Sequence, residues 1–237
     1  MRKIEDEKFK HISEKESDLE EAYTIAINIL RDIEPQSSFI FGKWKRISQS
    51  DIKKIAILRI CSSQTKVINL RNLEYSPEID ELLNKISDEE ILTILRKYKI
   101  RFPNQKTKWI HHLLSLDILA LIREIEEFSG MSLGQERRAR ERISIEIKGM
   151  GLKTASDFLK DIGFSRYLAV LDSRTLRFFQ DTGLASKKIK VNELSKREVY
   201  YKLEYIENVL AKKMGITVSE LDEKIMAYTG EEKPHKI

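Results

Sequence analysis

The sequence predicts an all-α fold. Three observations carry that expectation. Only 9 glycines and 4 prolines interrupt the 237 residues, apolar side chains recur at three- and four-residue intervals almost throughout, and several of these stretches open on a helix cap. With 41% hydrophobic and 34% charged residues the chain can bury a real core, and its length suits one large domain or two small ones.

In chain order, the first amphipathic stretch covers 19–33, with Leu19, Ala22, Ala26, Ile29, Leu30 and Ile33 on one stripe, and Pro35 with Ser37 and Ser38 closes it. A connector with Phe39, Phe41 and Trp44 follows. Ser50 or Asp51 is the expected cap of a helix reaching Leu58, and Pro77, after Ser76, starts another through Ile86. Ser87 and Glu90 form a capping box, so a helix begins at about Asp88. Helical spacing continues over 104–115, 117–127 and 133–147, and then comes a closely spaced glycine pair, Gly149 and Gly151. A helix over 152–162 stops at Gly163, a short apolar link spans 167–171, and a further helix begins after Asp172. Helices over 192–214 and 218–228 finish the chain, the last opened by a Thr217–Glu220 capping box.

Composition excludes several functions. The single cysteine, Cys61, rules out a disulfide framework, a four-cysteine zinc site and a four-cysteine iron-sulfur cluster, and it sits where a buried, inert thiol is expected. His11, His111, His112 and His235 lack metal-ligand spacing, so no metal site is expected. The longer apolar runs fall far short of the roughly 20 residues that span a bilayer, and the charged start, Met1-Arg2-Lys3-Ile4-Glu5-Asp6, is unlike a secretory signal. An intracellular protein of cytoplasm or nucleoid, without a membrane partner, is expected.

Charge is unevenly spread. Residues 131–190 hold 13 Lys and Arg against 7 Asp and Glu, a balance of +6, whereas the whole chain carries +5, so the other 177 residues sum to −1. A basic stretch containing Arg137, Arg138, Arg140, Arg142, Lys148, Lys153, Arg174 and Arg177 suits a polyanion, because phosphate binding releases counterions. Mixed Glu and Arg over 136–142 also suit a solvated helix face.

The run Ile147-Lys148-Gly149-Met150-Gly151-Leu152-Lys153-Thr154-Ala155 closes one helix and opens the next. Two glycines permit positive φ and close approach of another group, and the helix N-terminus beyond them favours an anion. A plain helix-turn-helix corner would share these features. Lys153, however, lies in the first turn, where the dipole opposes its charge by about 0.3 to 1 kcal/mol. The same field favours a neutral, nucleophilic amine. Nineteen residues on stands Asp172, which reads as the N-cap of the next helix and also as a carboxylate available to a site.

These residues carry a resemblance. The stretch 147–179 resembles the helix-hairpin-helix DNA glycosylases: the hairpin Lys148-Gly149-Met150-Gly151, the lysine of bifunctional members at Lys153, and an aspartate, Asp172, spaced as in the 8-oxoguanine-excising branch. The segment Ile100-Arg101-Phe102-Pro103-Asn104-Gln105-Lys106-Thr107-Lys108-Trp109-Ile110 looks like the loop and helix that the short type-2 enzymes of archaea and some bacteria insert near the orphaned base. One cysteine excludes the cluster-bearing endonuclease III branch, and Lys153 argues against the monofunctional alkylation-repair branch. The chain departs from the pattern at Arg174, where 8-oxoguanine enzymes generally have histidine, and at Asp157, where relatives place a thiol or imidazole. Asp157 is either an i,i+4 partner of Lys153 or an acceptor for a purine's ring N–H groups.

The resemblance implies an endonuclease III-like fold of two helical subdomains with an interdomain active-site cleft: a barrel over 44–163 ending in the hairpin, and a second subdomain from 1–43 plus 164–237. It implies Lys153 and Asp172 as the catalytic pair and Lys148, Gly149, Gly151, Thr154, Arg174, Asn104 and Gln105 as DNA contacts. Asp157 would face the base pocket. The expected activity is excision of 8-oxoguanine from duplex DNA by lysine attack at C1′, with strand cleavage by β-elimination, carried out by a monomer without a cofactor. A monovalent cation at the hairpin carbonyls fits the family. Excision of another lesion, or a non-catalytic DNA-binding module, remain alternatives. Trp44 and Trp109 read as core rather than base-stacking residues.

Overall fold

A computed structural model of the protein describes residues 16–34, 40–84 and 87–230, and every regular element among them is helical. The chain divides into two compact units: Ile40–Arg166, and Met1–Phe39 together with Tyr167–Ile237. The expected helix stop at Pro35, Ser37 and Ser38 lies outside the described residues, as do Phe39, His11, His235 and the tail after Gly230.

Helix α1 (Glu16–Leu30) opens the second of these units. The Ile40–Arg166 unit begins with a single 3-10 turn, Lys43–Lys45, and then builds around α2 (Gln49–Ser62), which buries Ile52, Ala56, Ile57, Ile60 and Cys61. Ser48 caps α2 in place of the expected Ser50 or Asp51. The Asp51 amide donates to Ser48 Oγ (3.1 Å) and the Asp51 carboxylate accepts from the Ser48 amide (3.3 Å), a capping box that fixes the start further upstream. Helix α3 (Val67–Glu74) lacked a sequence signal, because only Leu73 is buried, Val67 and Ile68 face out, and Lys66 supplies no side-chain cap. The helix expected from Pro77 to Ile86 is only the turn α4 (Glu78–Glu81). Its end tightens as the Leu83 and Asn84 amides reach back three residues to Asp80 and Glu81, and residues 85–86 are not described.

Next come α5 (Asp88–Lys97), opened by the Ser87–Glu90 capping box, and α6 (Pro103–Ser115), with proline at its first position. Then follow α7 (Ile118–Ile125), capped by Asp117 and continued by a 3-10 turn, α8 (Leu133–Glu146) and α9 (Leu152–Asp161). Helices α3, α6, α7 and α9 pack on α2, while α8 packs on α9. Buried Lys106 of α6 donates to the carbonyls of Cys61 (2.9 Å) and Ser63 (2.7 Å) and to Thr65 Oγ1 (3.3 Å), closing the end of α2, and burial pushes this ammonium below the usual lysine range. Burial raises the Cys61 thiol to about 12, which leaves it inert.

Tyr167 onward joins α1. Helix α10 (Ser173–Thr182) packs on α1 and on α12 (Val218–Gly230), and α11 (Arg197–Met214) packs on the same two. Phe178 meets Tyr228 edge-on at 5.7 Å. The helix expected over 192–214 is two elements, a 3-10 turn (Val191–Ser195) and α11. Polar side chains favour the turn: Ser195 Oγ donates to the Asn192 carbonyl (2.7 Å), and Glu193 accepts from the Lys190 amide (3.0 Å) and Lys196 Nζ (2.9 Å). No described helix is long and apolar enough to cross a membrane.

A half-buried charge cluster joins α2 to α9. Arg59 Nη1 donates to Asp157 Oδ2 (2.7 Å), and the same guanidinium binds the Asp161 carboxylate. Desolvation raises Asp161 to about 6; Arg59 opposes the shift and the neighbouring Asp157 charge adds to it. The folded state therefore binds this proton more tightly than the unfolded chain. The resulting stability is fully present below the ordinary aspartate value and is lost as pH rises through about 6. Asp161→Asn removes this dependence. Thermal unfolding of both proteins across that window should show the variant gaining on the parent as pH rises, and parallel curves would contradict the assignment.

Candidate active site

The hairpin lies between α8 and α9, and four polar contacts set its frame. Fully buried Glu136 accepts from the Gly130 amide (2.9 Å), Ser165 Oγ (2.6 Å) and the Arg166 amide (2.9 Å), tying the start of α8 to the chain leaving α9. Arg140 Nη1 donates across the two helices to Ser156 Oγ (3.0 Å). Arg140 is fully buried and Arg142 is bound by Glu124 (2.8 Å) and Glu146, so neither belongs to the open basic surface that the sequence suggests.

Within the turn, Met150 is 2% exposed and pins the hairpin to the core. Gly149 has φ +88°, a conformation that favours glycine, and a Cβ there would stand 2.4 Å from the Trp109 ring. Trp109 of α6 is thus the floor of the hairpin. Gly151 differs from the expectation of paired positive φ: at φ −79° and ψ −177° it is extended backbone, and a Cβ would meet nothing within 4 Å. Protein packing does not demand glycine at this place. An incoming backbone would, since Gly151 is exposed at the N-terminus of α9, where no side chain caps the helix.

Lys148 and Lys153 are exposed, and Thr154 is half-buried. Lys153 occupies the second residue of α9. Being exposed, its ammonium is not desolvated by the unit that carries it. Asp157, one turn further along α9, meets Arg59, a residue that the sequence reading missed because the two lie 98 positions apart.

Helix α6 presents Asn104 and Gln105, both exposed, in its first turn. Immediately before them Phe102 has φ +54° and is 56% exposed, with the Arg101 guanidinium 5.9 Å from its ring. A bulky residue in the left-handed region is strained, so this aromatic is held outward at a cost. Thr65 anchors the loop, its Oγ1 accepting from the Arg101 amide (3.3 Å) and from Lys106.

In the other unit, Asp172 is the N-cap of α10. Its Oδ1 accepts from the amides of Arg174 (2.8 Å) and Thr175 (3.2 Å), and its Oδ2 faces Arg174 Nη2 at 3.3 Å. The carboxylate is half-buried, and the capping role read from sequence holds. Among the described residues no three His, Cys, Asp or Glu side chains gather as a metal site; His111 Nδ1 meets Asp88 instead, at 2.7 Å.

Residues 39–216 match the family model described as 8-oxoguanine DNA glycosylase. A protein of Sulfurisphaera tokodaii named 8-oxoguanine DNA glycosylase/AP lyase is 31% identical over 169 residues, 70% of this chain and 76% of the relative. One of Metallosphaera sedula with the same name is 32% identical over 136 residues, which spans 57% of this chain and 61% of the relative's length. The crystal structure of the Methanocaldococcus jannaschii 8-oxoguanine DNA glycosylase shares the fold, with a TM-score of 0.65 at 23% identity over 90% of this chain and 94% of that one. A complex of that enzyme with a 15mer DNA containing 8-oxoguanine aligns with a TM-score of 0.61 at 22% identity.

Proposed function

The chain belongs to the 8-oxoguanine DNA glycosylase family, and from that membership we propose that it excises 8-oxoguanine from duplex DNA and cleaves the strand at the resulting site. The observation that carries this reading is the place of Lys153: exposed, in the first turn of α9, directly after an uncapped N-terminus whose Gly151 leaves room for a phosphate.

The hairpin amides and Lys148 hold the backbone beside the lesion. The damaged nucleotide leaves the stack, which costs a few kcal/mol that the lesion partly lowers. Phe102, Asn104 and Gln105 occupy the space left behind; the outward-held aromatic supports this, because an apolar side chain between base steps replaces lost stacking. The bound sugar and backbone exclude water from Lys153, supplying the dehydration that the free protein does not. Its amine attacks C1′, the C1′–N9 bond breaks, and the base departs with the electron pair and takes up a proton. Opening of the sugar ring gives a Schiff base, loss of a C2′ proton follows, and the C3′–O bond breaks. Asp172 stabilises positive charge developing on the sugar, and Arg174 steadies Oδ2 of that carboxylate and meets a phosphate. In this reading Asp157, held by Arg59, accepts from ring N–H groups of the base. The amine and the carboxylate supply the groups the chemistry needs, so the reading requires no organic cofactor.

A panel of duplexes carrying 8-oxoguanine, an oxidised pyrimidine, a mismatch or no lesion tests the substrate. The 8-oxoguanine duplex should be nicked fastest, and preference for another lesion would redirect the assignment. Affinity should also fall steeply between about 50 and 200 mM salt, with a slope set by the phosphates contacted. A flat dependence would contradict the phosphate grip.

A further inference from the structure

The segment that delivers Asp172 belongs to no regular element and is buried, with Leu168, Ala169 and Leu171 at most 2% exposed. Its peptide groups need partners, and no strand among the described residues offers them. Helix α11 does so with side chains. Tyr200 Oη donates to the Ala169 carbonyl (2.8 Å) and accepts from the Leu171 amide (3.4 Å). Glu204 Oε1 accepts from the Ala169 amide (3.2 Å), so the Ala169 residue is gripped at both its polar groups. Asn208 Nδ2 donates to the Tyr167 carbonyl (2.7 Å) and to the Glu204 carbonyl of its own helix (2.9 Å).

These three residues stand at i, i+4 and i+8, on one face of α11. One helical turn rises about 5.4 Å and two extended residues span about 6.6 Å, so a helix face can follow an antiparallel extended chain over this short distance. The side chains thus act as a surrogate neighbouring strand. Leu171, held by Tyr200, directly precedes Asp172, whose carboxylate in turn fixes the start of α10.

We propose that Tyr200, Glu204 and Asn208 are positioning residues that set the register of Asp172 for base release. The proposal rests on the role given to Asp172 above. Two assays separate its parts: single-turnover base release from an 8-oxoguanine duplex, which needs both Lys153 and Asp172, and borohydride trapping on a duplex with a preformed abasic site, which needs the amine and an aldehyde.

Tyr200→Phe, which keeps the ring, should slow base release by about tenfold to a hundredfold, as misplacement of a catalytic group by about 1 Å does. Trapping at the abasic site should stay within about twofold. Asp172→Asn should show the same split without unfolding, since asparagine caps a helix as well as aspartate. The double variant should be no slower than Asp172→Asn alone, because both changes act through one carboxylate. Unchanged base release in Tyr200→Phe, equal loss in both assays, or additive effects in the double variant would overturn the proposal.

If Tyr200→Phe does not fold, Glu204→Gln and Asn208→Asp give the same test. Glutamine keeps an acceptor for the Ala169 amide and should retain base release, whereas aspartate sets a carboxylate against the Tyr167 carbonyl and should lower it; the reverse order overturns the proposal. A parent protein that fails in both assays refutes the glycosylase reading itself, and this inference with it.

Discussion

Lys153→Gln should abolish both base release and borohydride trapping on an 8-oxoguanine duplex. Removing a covalent nucleophile costs roughly 10⁴-fold or more, because the groups that act with it cannot form the bond alone. Binding should barely change. An exposed charge contributes at most about 1 kcal/mol, so affinity for the duplex should stay within about fivefold. Glutamine is close in length and is a good helix former at this exposed place in the first turn of α9, so the fold should be retained. Gel retardation and single-turnover kinetics on the same preparation distinguish this outcome from loss of folding. A variant that binds and still forms an adduct would place the nucleophile on another residue.

The second large effect separates the two hairpin glycines. Gly149→Ala places a side chain in the left-handed region and drives its Cβ to within 2.4 Å of the Trp109 ring. The backbone conflict costs about 1 to 2 kcal/mol and the overpacking about 1 to 3. A loss of several kcal/mol should lower the melting temperature by roughly 10 °C, given about 2 to 4 °C per kcal/mol for a chain of this size. Gly151→Ala should behave oppositely. Its φ is accessible to alanine and its Cβ meets nothing, so the melting temperature should hold or rise, while duplex affinity should fall because the methyl group would occupy the proposed phosphate contact. Equal behaviour of the two variants in both measurements would contradict the division between a structural and a ligand-facing glycine.

What could be read from the sequence was local. Ser87 with Glu90 and Thr217 with Glu220 announce helix starts because each capping box closes within four residues, and both boxes are formed. Asp172 as an N-cap is legible for the same reason. The hairpin, its lysine and the aspartate form a pattern compact enough to suggest the family to which the chain belongs.

The unread features depend on residues distant in sequence or on energies too small to leave a pattern. Helix α3 is amphipathic in one buried residue only, so no stripe marks it. The Arg59 clamp on Asp157 and Asp161 spans about a hundred positions, which no spacing rule covers. Burial of Arg140 turns an apparent phosphate contact into a strut between α8 and α9. Phe102 precedes a proline, a context that disfavours the α region, yet nothing local announces a left-handed residue held outward. Similarly, Tyr200, Glu204 and Asn208 read as an ordinary helix face until the chain entering Asp172 is laid against them.

In the proposed mechanism the amine at the mouth of the hairpin forms the covalent bond to the sugar. The most direct test of this step is borohydride reduction of the parent protein on an 8-oxoguanine duplex, followed by proteolysis and mass mapping of the peptide that carries the nucleotide remnant. A single modified peptide with the remnant on Lys153 is expected. A remnant on any other lysine, or base release with no adduct at all, would contradict it.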